Sequence, residues 1–388
     1  MSTALNVPPP DFMNDEDIRI FADMVGAFFK RHAPPTRTKA WRAAGQVERA
    51  FWTEAGQAGL LGLMVPAAYG GPGGDLRHEI ILVDAQARHD VDGFAASLHN
   101  VIITPYVIDY GTHEQKQRWL HRLVNGDLIA AVAMTEPDAG SDLQAIRATA
   151  LRDGNGYRIN GQKTYISNGQ LANFIVVVAK TDPAARGRGI SLLVVETDQA
   201  EGFRRGRNLD KVGQDAADTS ELFFDNVWVP AENLLGLTEG QGFAQLMGQL
   251  PRERLIIAVQ AAAEMERALE VTLDFVRHRR VFGQAVLDYQ NTQFRLAECK
   301  TLATIARVFV NHCIGQALAG TLDDSTAAMA KYWTTDTLCK IVDECLQLHG
   351  GAGYMNEYLI GRMYRDARVS RIYGGTNEIM KILIARGL

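Results

Sequence analysis

The sequence predicts a multidomain α+β protein whose chain runs from a helical segment through a β-rich segment to a second helical segment. Three observations support this order. Apolar residues recur at helical spacing before about residue 129, short β-rich runs separated by turns follow over residues 130–237, and long helical patterns with short connections begin near residue 238. At 388 residues the chain is too long for one ordinary core, which favours a division into 1–129, 130–237 and 238–388.

The first segment has the periodicity of amphipathic helices. Asn14 or Asp15 can cap its first helix, whose apolar positions recur at helical spacing: Ile18, Phe21, Val25, Phe28 and Phe29. Further helices are predicted over residues 51–63, 78–89, 93–110 and 114–125. Residues 65–74 are rich in glycine and proline, and no strand precedes them. We therefore interpret this stretch as a connector rather than a phosphate-binding loop.

Turn signals divide the middle segment into short strands. Gly154-Asn155-Gly156 and Asn160-Gly161 are hairpin-type turns. The β-rich runs cover residues 157–159, 174–178, 190–195 and 222–224. Several short strands separated by turns predict a small antiparallel barrel or sandwich between about residues 130 and 229.

Long helices make up the last segment. Helical faces are predicted over residues 255–277, 325–348 and 377–384, and another helix shows one apolar face along its length: Phe294, Ala297, Thr301, Ile305, Val308, Phe309 and Cys313. Long helices with short connections are typical of a bundle.

Glu253 is the candidate catalytic residue. Pro251 can open a helix, because its missing N–H would be unpaired there, and this would place Arg252, Glu253 and Arg254 in the first turn. A carboxylate held between arginines and facing an apolar site can act as a general base. A glutamate in a first turn more often complements the helix dipole, so both interpretations stay open on spacing alone.

The composition excludes several classes of protein. A net charge of −5 and a hydrophobic content of 47% indicate an ordinary globular protein without the basic surface that nucleic acids require. No apolar run is long enough to span a bilayer. The N-terminal residues resemble neither a signal peptide nor a transit peptide, so we expect a cytoplasmic protein. The four cysteines form no Cys-x-x-Cys pair, which favours reduced core thiols and no metal site.

Five short segments combine small, hydroxyl-bearing and aromatic residues near turns. They cover residues 134–142, 163–169, 279–290, 347–354 and 371–378. In the last of these, a Gly-Gly turn with a helix behind it projects backbone N–H groups that suit an anion or a carbonyl oxygen. Each segment alone is a modest signal.

In this order, the five segments closely resemble the acyl-CoA dehydrogenase family, from about residue 15 to residue 388. The resemblance implies an N-terminal helical domain, a middle antiparallel β-barrel and a C-terminal four-helix bundle, assembled as a homotetramer around FAD. Tyr165 would cover one face of the flavin, Thr135 and Ser167 would hydrogen-bond it, and Arg279 would lie near the pyrophosphate, with several contacts reaching a neighbouring subunit. The implied FAD-binding residues are Val132, Met134, Thr135, Gly140, Ser141, Tyr165, Ile166, Ser167, Arg279, Phe282, Gln290, Gln347, Leu348, His349, Gly350, Gly351, Thr376, Asn377 and Glu378.

One departure from the family pattern bears on the base. Most members carry the catalytic glutamate within Ile-Tyr-Glu-Gly-Thr, where this chain has Gly374. A smaller branch, which includes the long-chain and isovaleryl-CoA dehydrogenases, places its glutamate at the start of a bundle helix. The resemblance to that branch implies that Glu253 is the base. It also implies contacts to the acyl-CoA substrate at Ser141, Phe243, Ala244, Arg254, Gly374 and Gly375.

The implied reaction is α,β-dehydrogenation of an acyl-CoA thioester to a trans-2-enoyl-CoA, as in fatty-acid β-oxidation. Glu253 would take the α-proton, flavin N5 would take the hydride, and the electrons would pass to an electron-transferring flavoprotein. The thioester oxygen would be bound by the N–H near Gly374 and a ribityl hydroxyl. Residues 97–99 would lie on the floor of the acyl pocket, where His99 is expected to pack or face solvent, and Ala244 would leave room for a branch or ring.

Three alternatives stay open at this point. An oxidase of the same fold would use O₂ as acceptor, and a flavin-bound, non-catalytic relative would resemble the DNA-binding members of the family. The third alternative is a helical scaffold without cofactor. The acidic balance of the chain argues against the DNA-binding alternative.

Overall fold

The computed structural model describes residues 5–388, and the first part of this chain is helical as predicted. A π-helical stretch, Leu98–Ile103, leads directly into the fifth α-helix. The α-helices are α1 (Glu16–His32), α2 (Pro35–Ala44), α3 (Arg49–Gln57), α4 (Leu76–Arg88), α5 (Thr104–Tyr110) and α6 (His113–Val124). Two of the predicted helices are shorter than expected, since α3 ends at Gln57 and the helix predicted from residue 93 begins only near Leu98.

The apolar face predicted for α1 is confirmed. Ile18, Val25, Phe28 and Phe29 are buried in a cluster that also holds the rings of α3 and Phe94. Asp15 is the residue before the helix, but its side chain makes no capping hydrogen bond. The face of α1 that packs inward therefore follows the sequence periodicity directly.

A single mixed sheet holds the strands of the middle part. These are β1 (Ala130–Ala133), β2 (Thr149–Asp153), β3 (Gly156–Ser167), β4 (Phe174–Lys180), β5 (Ile190–Glu196), β6 (Phe203–Asn208) and β7 (Thr219–Pro230). Their order is β1-β4-β2-β3-β7-β6, and β5 pairs with the other edge of β4. The pairings are antiparallel except that β1 and β2 run parallel to β4, which the local turn signals did not predict.

The two faces of β4 serve two different cores. Phe174, Val176 and Val178 pack with Trp119 and neighbouring residues of the N-terminal helices. The alternate residues of the strand, Ile175, Val177 and Ala179, pack within the core of the sheet itself. Burial on both faces explains why β4 and β5 are continuous apolar runs rather than alternating ones.

Long helices dominate the last part, as predicted. The helices are α7 (Gly242–His278), α8 (Gln290–Leu318), α9 (Asp324–His349), α10 (Leu359–Ala367) and α11 (Asn377–Ala385), and a small hairpin of β8 (Arg280–Val281) and β9 (Gln284–Ala285) joins α7 to α8. α7 packs against α8 and α9 within the bundle and against α4 of the N-terminal part. The proposed divisions after residues 129 and 237 fall in connections between elements.

The prediction that Pro251 opens a helix is wrong. α7 begins at Gly242, so Pro251 lies inside it and Glu253 is not in a first turn. An interior proline removes one hydrogen bond, yet the turns before it are held by packing: Leu246 is buried and Phe243 packs against the same cluster. The helix-dipole interpretation of Glu253 loses its basis, because this part of α7 has no unpaired helix-start N–H groups.

The apolar face predicted for α8 mostly points outward. Phe294, Ile305 and Val308 are exposed in the single chain, whereas Ala303, Ala306, Val310 and Cys313 face the bundle. The inner face of α8 combines small residues with Leu296, Arg307 and Ile314, which are buried there as well. All four cysteines are free thiols in the described residues, and three of them are buried. Within residues 5–388 no helix is long and apolar enough to cross a membrane.

Candidate active site

Glu253 is buried on α7, and its carboxylate meets a tyrosine from another element. The hydroxyl of Tyr106 on α5 donates a hydrogen bond of 3.1 Å to Glu253 Oε1. Burial raises the pKa of Glu253 to about 7, and the hydrogen bond from Tyr106 and the charges of Arg252 and Arg254 oppose that rise. A carboxyl with this environment exchanges a proton near neutral pH.

The Gly-Gly turn before α11 lies against the same side of α7. A Cβ atom placed on Gly374 would come within 2.5 Å of Ile257 Cδ1. Ile257 follows Glu253 by one helical turn, so the two side chains share a face of α7. Gly374 and Gly375 have φ values of 65° and 89°, a conformation that side chains disfavour. The structure therefore brings together the two segments that the sequence analysis linked.

Lys331 on α9 holds the Gly-Gly turn through hydrogen bonds of its side chain. Its buried Nζ donates to the carbonyl oxygen of Gly375 at 2.7 Å and to Asn377 Oδ1 at 2.9 Å. Burial lowers the pKa of Lys331 to about 8. Asn377 Nδ2 donates in turn to Thr335 and Asp336 of α9. The side chain of Asn377, which was predicted to contact FAD, is thus engaged within the bundle.

A buried ion pair ties the segment 134–142 to β3. Lys163 Nζ lies 2.8 Å from Glu136 Oε1 and also donates to the carbonyl oxygen of Met134. Glu136 accepts hydrogen bonds from the backbone N–H groups of residues 147 and 148. The N–H of Thr164 donates to the carbonyl oxygen of Thr135 at 2.9 Å. These contacts place Thr135 beside the strand that carries Tyr165 and Ser167.

Tyr165 presents its ring to the outside of the chain. Its side chain is 69% exposed, and its φ of 59° lies in the left-handed region. Ser167 is also exposed, whereas the side chain of Ile166 is buried in the core of the sheet. Gly140 and Ser141 lie in the open turn before β2, where a Cβ on Gly140 would meet no atom within 4 Å.

The first group of predicted FAD residues is continuous with the surroundings of Glu253. Val132 and Met134 pack in the cluster that contains Tyr106 and the side chains of Phe243 and Met247 on α7. Thr376 caps α11 directly after the Gly-Gly turn, and Glu378 is exposed in the first turn of that helix. Val132 and Met134 therefore lie in the same core as Tyr106, and Thr376 follows the turn that packs against Ile257 of α7.

A second group of predicted FAD residues lies far from Glu253 in the same chain. At about 1.5 Å per residue, α7 spans roughly 37 Å from Glu253 to His278. Arg279 and Phe282 follow that end of the helix and are exposed, and Phe282 is 99% exposed with a φ of 48°. Tyr289 donates to the carbonyl oxygen of Val281 and so closes this hairpin just before Gln290.

The segment 347–351 joins this second group. The His349 ring stacks on Phe275 near the end of α7, with 4.2 Å between the ring centroids. His349 Nδ1 donates to the carbonyl oxygen of Cys345, and burial lowers the pKa of the histidine. Gly350 and Gly351 face open space and Gln347 is exposed, whereas Leu348 is half-buried against the core of the bundle. One chain thus separates the predicted FAD residues into two clusters.

The predicted substrate residues also fall at distinct places. Phe243 and Ala244 line a groove of 420 Å³ together with Gln144, Arg186 and Arg188. The groove opens where α7 begins, and Gln144, three residues after Ser141, lines it. Neither arginine takes part in an ion pair within residues 5–388.

Arg254 and His99 are both buried. Arg254 lies 3.6 Å from Asp324 of α9, and burial lowers the pKa of its guanidinium. His99 accepts a hydrogen bond from the N–H of Ala130 and donates to the carbonyl oxygen of Leu123. Burial lowers the pKa of His99 to about 4, so its ring is neutral and serves packing.

Sequence reasoning missed three polar residues of this region. Tyr106, Lys331 and Glu79 each occupy a position inside an apolar helical pattern, which is the signal that could have singled them out. Glu79 is fully buried beside Asn100, and burial raises its pKa to about 8.

Comparisons with known proteins identify the family of this chain. Models of the acyl-CoA dehydrogenase N-terminal, middle and C-terminal domains match residues 15–127, 131–227 and 240–388. The chain therefore belongs to the acyl-CoA dehydrogenase family, and it is an oxidoreductase of that family.

Individual relatives cover nearly the whole chain. The mitochondrial long-chain specific acyl-CoA dehydrogenase of Mus musculus is 45% identical over 377 residues, which cover 97% of this chain and 86% of the mouse protein. The acyl-CoA dehydrogenase structure from Geobacillus kaustophilus is 45% identical with a TM-score of 0.94, covering 98% of this chain and 99% of that one. A glutaryl-CoA dehydrogenase from Mycobacterium smegmatis, solved with FADH2, is 28% identical with a TM-score of 0.90, covering 100% and 98%.

Proposed function

We propose that this protein oxidises an acyl-CoA thioester to a trans-2-enoyl-CoA, with Glu253 as the base. One observation carries the proposal: the buried Glu253 carboxyl lies on the face of α7 against which the Gly374 turn packs. Glu253 takes the α-proton, the β-hydrogen leaves with its electron pair, and the carbon–carbon double bond forms between the two positions. Most of the family carries its base at the position that is Gly374 in this chain. Glycine cannot accept a proton, so we assign the base to Glu253 of α7.

FAD fits the two clusters of predicted residues when the cluster with Tyr165 comes from one chain and the cluster with Phe282 from a neighbouring subunit. Tyr165 and Phe282 are large aromatic side chains held exposed on left-handed backbone, as expected of groups that pack against a flat ring. Gly140 lies in an open turn whose backbone can approach a ligand closely. The chemistry that bound FAD supplies is acceptance of the hydride. Thr135 and Ser167 would hydrogen-bond the ring system, and Arg279 would pair with the pyrophosphate.

The Gly374 turn is suited to stabilise the thioester oxygen. Removing an α-proton places negative charge on that oxygen, which a fixed N–H donor stabilises. Lys331 holds the carbonyl oxygen of Gly375, so the peptide groups of the turn have a set orientation. A donor that needs no reorganisation during the reaction supports the proposed site.

The groove beside Phe243 and Ala244 supports coenzyme A as the carrier. Arg186 and Arg188 provide positive charge at its edge, which suits the phosphates of this polyanion. The small side chain of Ala244 leaves room in the groove, and we propose that an acyl branch or ring could be accommodated there. Long-chain acyl groups are acted on by the mouse relative according to its name.

Replacing Glu253 with glutamine tests the base. We expect Glu253→Gln to keep its FAD while the rate of anaerobic flavin bleaching by acyl-CoA falls by about 10²-fold or more. In the unaltered protein the bleaching rate should rise with pH through about 7, because the base must be ionised. Bleaching is followed by absorbance in a stopped-flow instrument.

Glu264→Gln is a matched control. Glu264 is another carboxyl on α7, and burial raises its pKa to about 7 as well, but its partner is Gln260 rather than a residue of the site. This variant should bleach at the normal rate. Normal bleaching by Glu253→Gln would end the assignment of the base.

The exposed face of α8 supports a homotetramer. Phe294, Ile305 and Val308 form an apolar stripe, defined here as the α8 stripe, on the outside of the single chain. The roughly 37 Å between Glu253 and Arg279 prevents both predicted FAD clusters of one chain from binding one flavin through that helix. A neighbouring subunit that contributes the second cluster accounts for both observations.

We infer that electrons pass to an electron-transferring flavoprotein, and acyl-CoA-dependent oxygen consumption would instead favour an oxidase. We propose a cytoplasmic location, whereas the mouse relative is named as mitochondrial. A gel shift at moderate salt separates the enzyme from a DNA-binding relative.

A further inference from the structure

Tyr106 makes a contact that packing alone does not require. The residue is fully buried on α5, and its ring lies in the cluster formed by Trp119, Leu246 and their neighbours. A buried tyrosine hydroxyl needs a hydrogen-bond partner, and a backbone carbonyl oxygen would serve. Instead the hydroxyl donates to Glu253 Oε1 at 3.1 Å, a residue 147 positions away in the chain.

The Tyr106 hydroxyl is the hydrogen-bond donor to the Glu253 carboxylate, because the two arginines beside Glu253 pair with other carboxylates. Arg252 lies 3.4 Å from Asp109, and Arg254 lies 3.6 Å from Asp324. Each arginine that flanks Glu253 therefore has a carboxylate of its own. The titratable and charged groups facing this part of α7 come from α4, α5, α7 and α9: Glu79, Tyr106, Asp109, Tyr110, Arg252, Arg254, Asp324 and Lys331.

The direction of the hydrogen bond matters for a base. A phenol that donates to a carboxylate stabilises the ionised form, which is the form that can accept a proton. It also fixes one carboxylate oxygen and leaves Oε2 for the transferred proton. Burial acts in the opposite sense and favours the neutral acid. The hydroxyl thus offsets part of the effect of burial at the same group.

We propose that Tyr106 is a positioning residue for Glu253: its hydroxyl holds Oε1, aims Oε2 at the substrate α-carbon and keeps the carboxylate ionised. This inference rests on the proposed role of Glu253 as base. It adds a function for α5, which supplies no residue to the predicted FAD or acyl-CoA contacts.

The test uses the FAD-loaded full-length protein and anaerobic bleaching by a saturating acyl-CoA across neutral pH. Tyr106→Phe removes the hydroxyl and keeps the ring. The bleaching rate of the unaltered protein should rise with pH as Glu253 ionises, and this rise is called the acid limb of its pH–rate profile. We expect Tyr106→Phe to move the midpoint of the acid limb upward by about one pH unit, so that the rate at a pH below the midpoint falls about tenfold. A role in packing alone would not move this midpoint.

A second variant protects the test against misfolding and gives the opposite sign. Genetically encoded 3-fluorotyrosine at position 106 keeps the hydroxyl and makes it a stronger donor. The acid limb should then move downward. Tyr157→Phe is the matched control, because Tyr157 is a buried tyrosine of β3 whose hydroxyl donates to Glu239 Oε1 at 2.7 Å rather than to a group facing Glu253. Its acid limb should match that of the unaltered protein.

The outcomes separate this inference from the proposed function. An acid limb that stays in place for both Tyr106 variants, with normal FAD absorbance and melting temperature, would overturn the role of Tyr106 even if Glu253→Gln is inactive. Normal bleaching by Glu253→Gln would overturn both the base and the residue proposed to position it. Opposite shifts for Tyr106→Phe and for the fluorotyrosine variant would support both.

Discussion

The proposed role of Glu253 is supported by contacts with elements that are distant from it in sequence. Its position after a proline suggested a helix start, which the structure corrects. What supports its role is the burial of its carboxyl, the hydrogen bond from Tyr106 and the approach of Gly374 to Ile257. None of these contacts has a local signature, because each joins α7 to a different part of the chain.

Gly374 leads to a prediction at the residue scale. Gly374→Ala should lower the free energy of unfolding, because the new Cβ would meet Ile257 and the backbone φ of 65° disfavours a side chain. The backbone strain alone costs about 1–2 kcal/mol. The bleaching rate should also fall, since the turn and the Glu253 face of α7 are pushed apart. Urea denaturation and stopped-flow absorbance measure the two effects.

Gly320→Ala separates backbone strain from the contact. Gly320 has a φ of 68°, and a Cβ there would meet no atom within 4 Å. We expect this control to lose stability through strain alone and to bleach normally. Equal losses of stability in the two variants would show that the contact with Ile257 contributes nothing.

At the scale of elements, α9 holds the Gly-Gly turn in place through Lys331. Lys331→Met should lower the free energy of unfolding by about 1–3 kcal/mol, because the carbonyl oxygen of Gly375 and Asn377 Oδ1 lose a buried donor. Slower bleaching should accompany the loss, since the turn is then less firmly oriented. Lys340→Met places the same change at an exposed position of α9 and should leave both measurements near normal. A Lys331 variant as stable and active as this control would argue against the anchoring role.

The elements differ in how far the sequence determines them. The buried face of α1 follows its periodicity, and the β2–β3 hairpin follows its glycine-containing turn. The second predicted turn, Asn160-Gly161, is wrong, because these residues lie inside β3 at an irregularity of its pairing with β7. The face predicted for α8 was mostly wrong, because small and polar residues share its buried face with Leu296 and Ile314 while Phe294, Ile305 and Val308 point outward. The parallel pairing of β1 with β4 was not predictable, since it joins segments about 44 residues apart without a local turn.

The candidate site was predictable only in part. The five short segments were located by motif, yet the structure separates them into two clusters at opposite ends of α7. Two residues predicted to contact FAD direct their side chains elsewhere. Asn377 forms hydrogen bonds within the bundle, and Ile166 lies in the core of the sheet. Tyr106 and Lys331 went unnoticed because a single polar residue in an apolar helix has many structural uses.

At the scale of the whole molecule, the α8 stripe leads to a prediction about assembly. Val308→Glu places a charge within this stripe and should dissociate the proposed homotetramer, because burying an unpaired carboxylate is unfavourable. Sedimentation velocity should show smaller species, and the FAD content per chain should fall with them. Gln293→Glu adds the same charge at an exposed polar position of α8 and should leave assembly intact. A monomeric Val308 variant with full FAD content would contradict a flavin site shared between subunits.

The length of α7 has a consequence beyond the single chain. In the proposed assembly, Glu253 acts at one flavin while the hairpin at residues 279–290 of the same chain holds another. One continuous rod therefore joins the chemistry of one protomer to cofactor retention in its neighbour. A variant that inactivates Glu253 and a variant that disrupts the hairpin at residues 279–290 would therefore restore activity to each other in mixed oligomers, because each chain supplies the part that the other lacks.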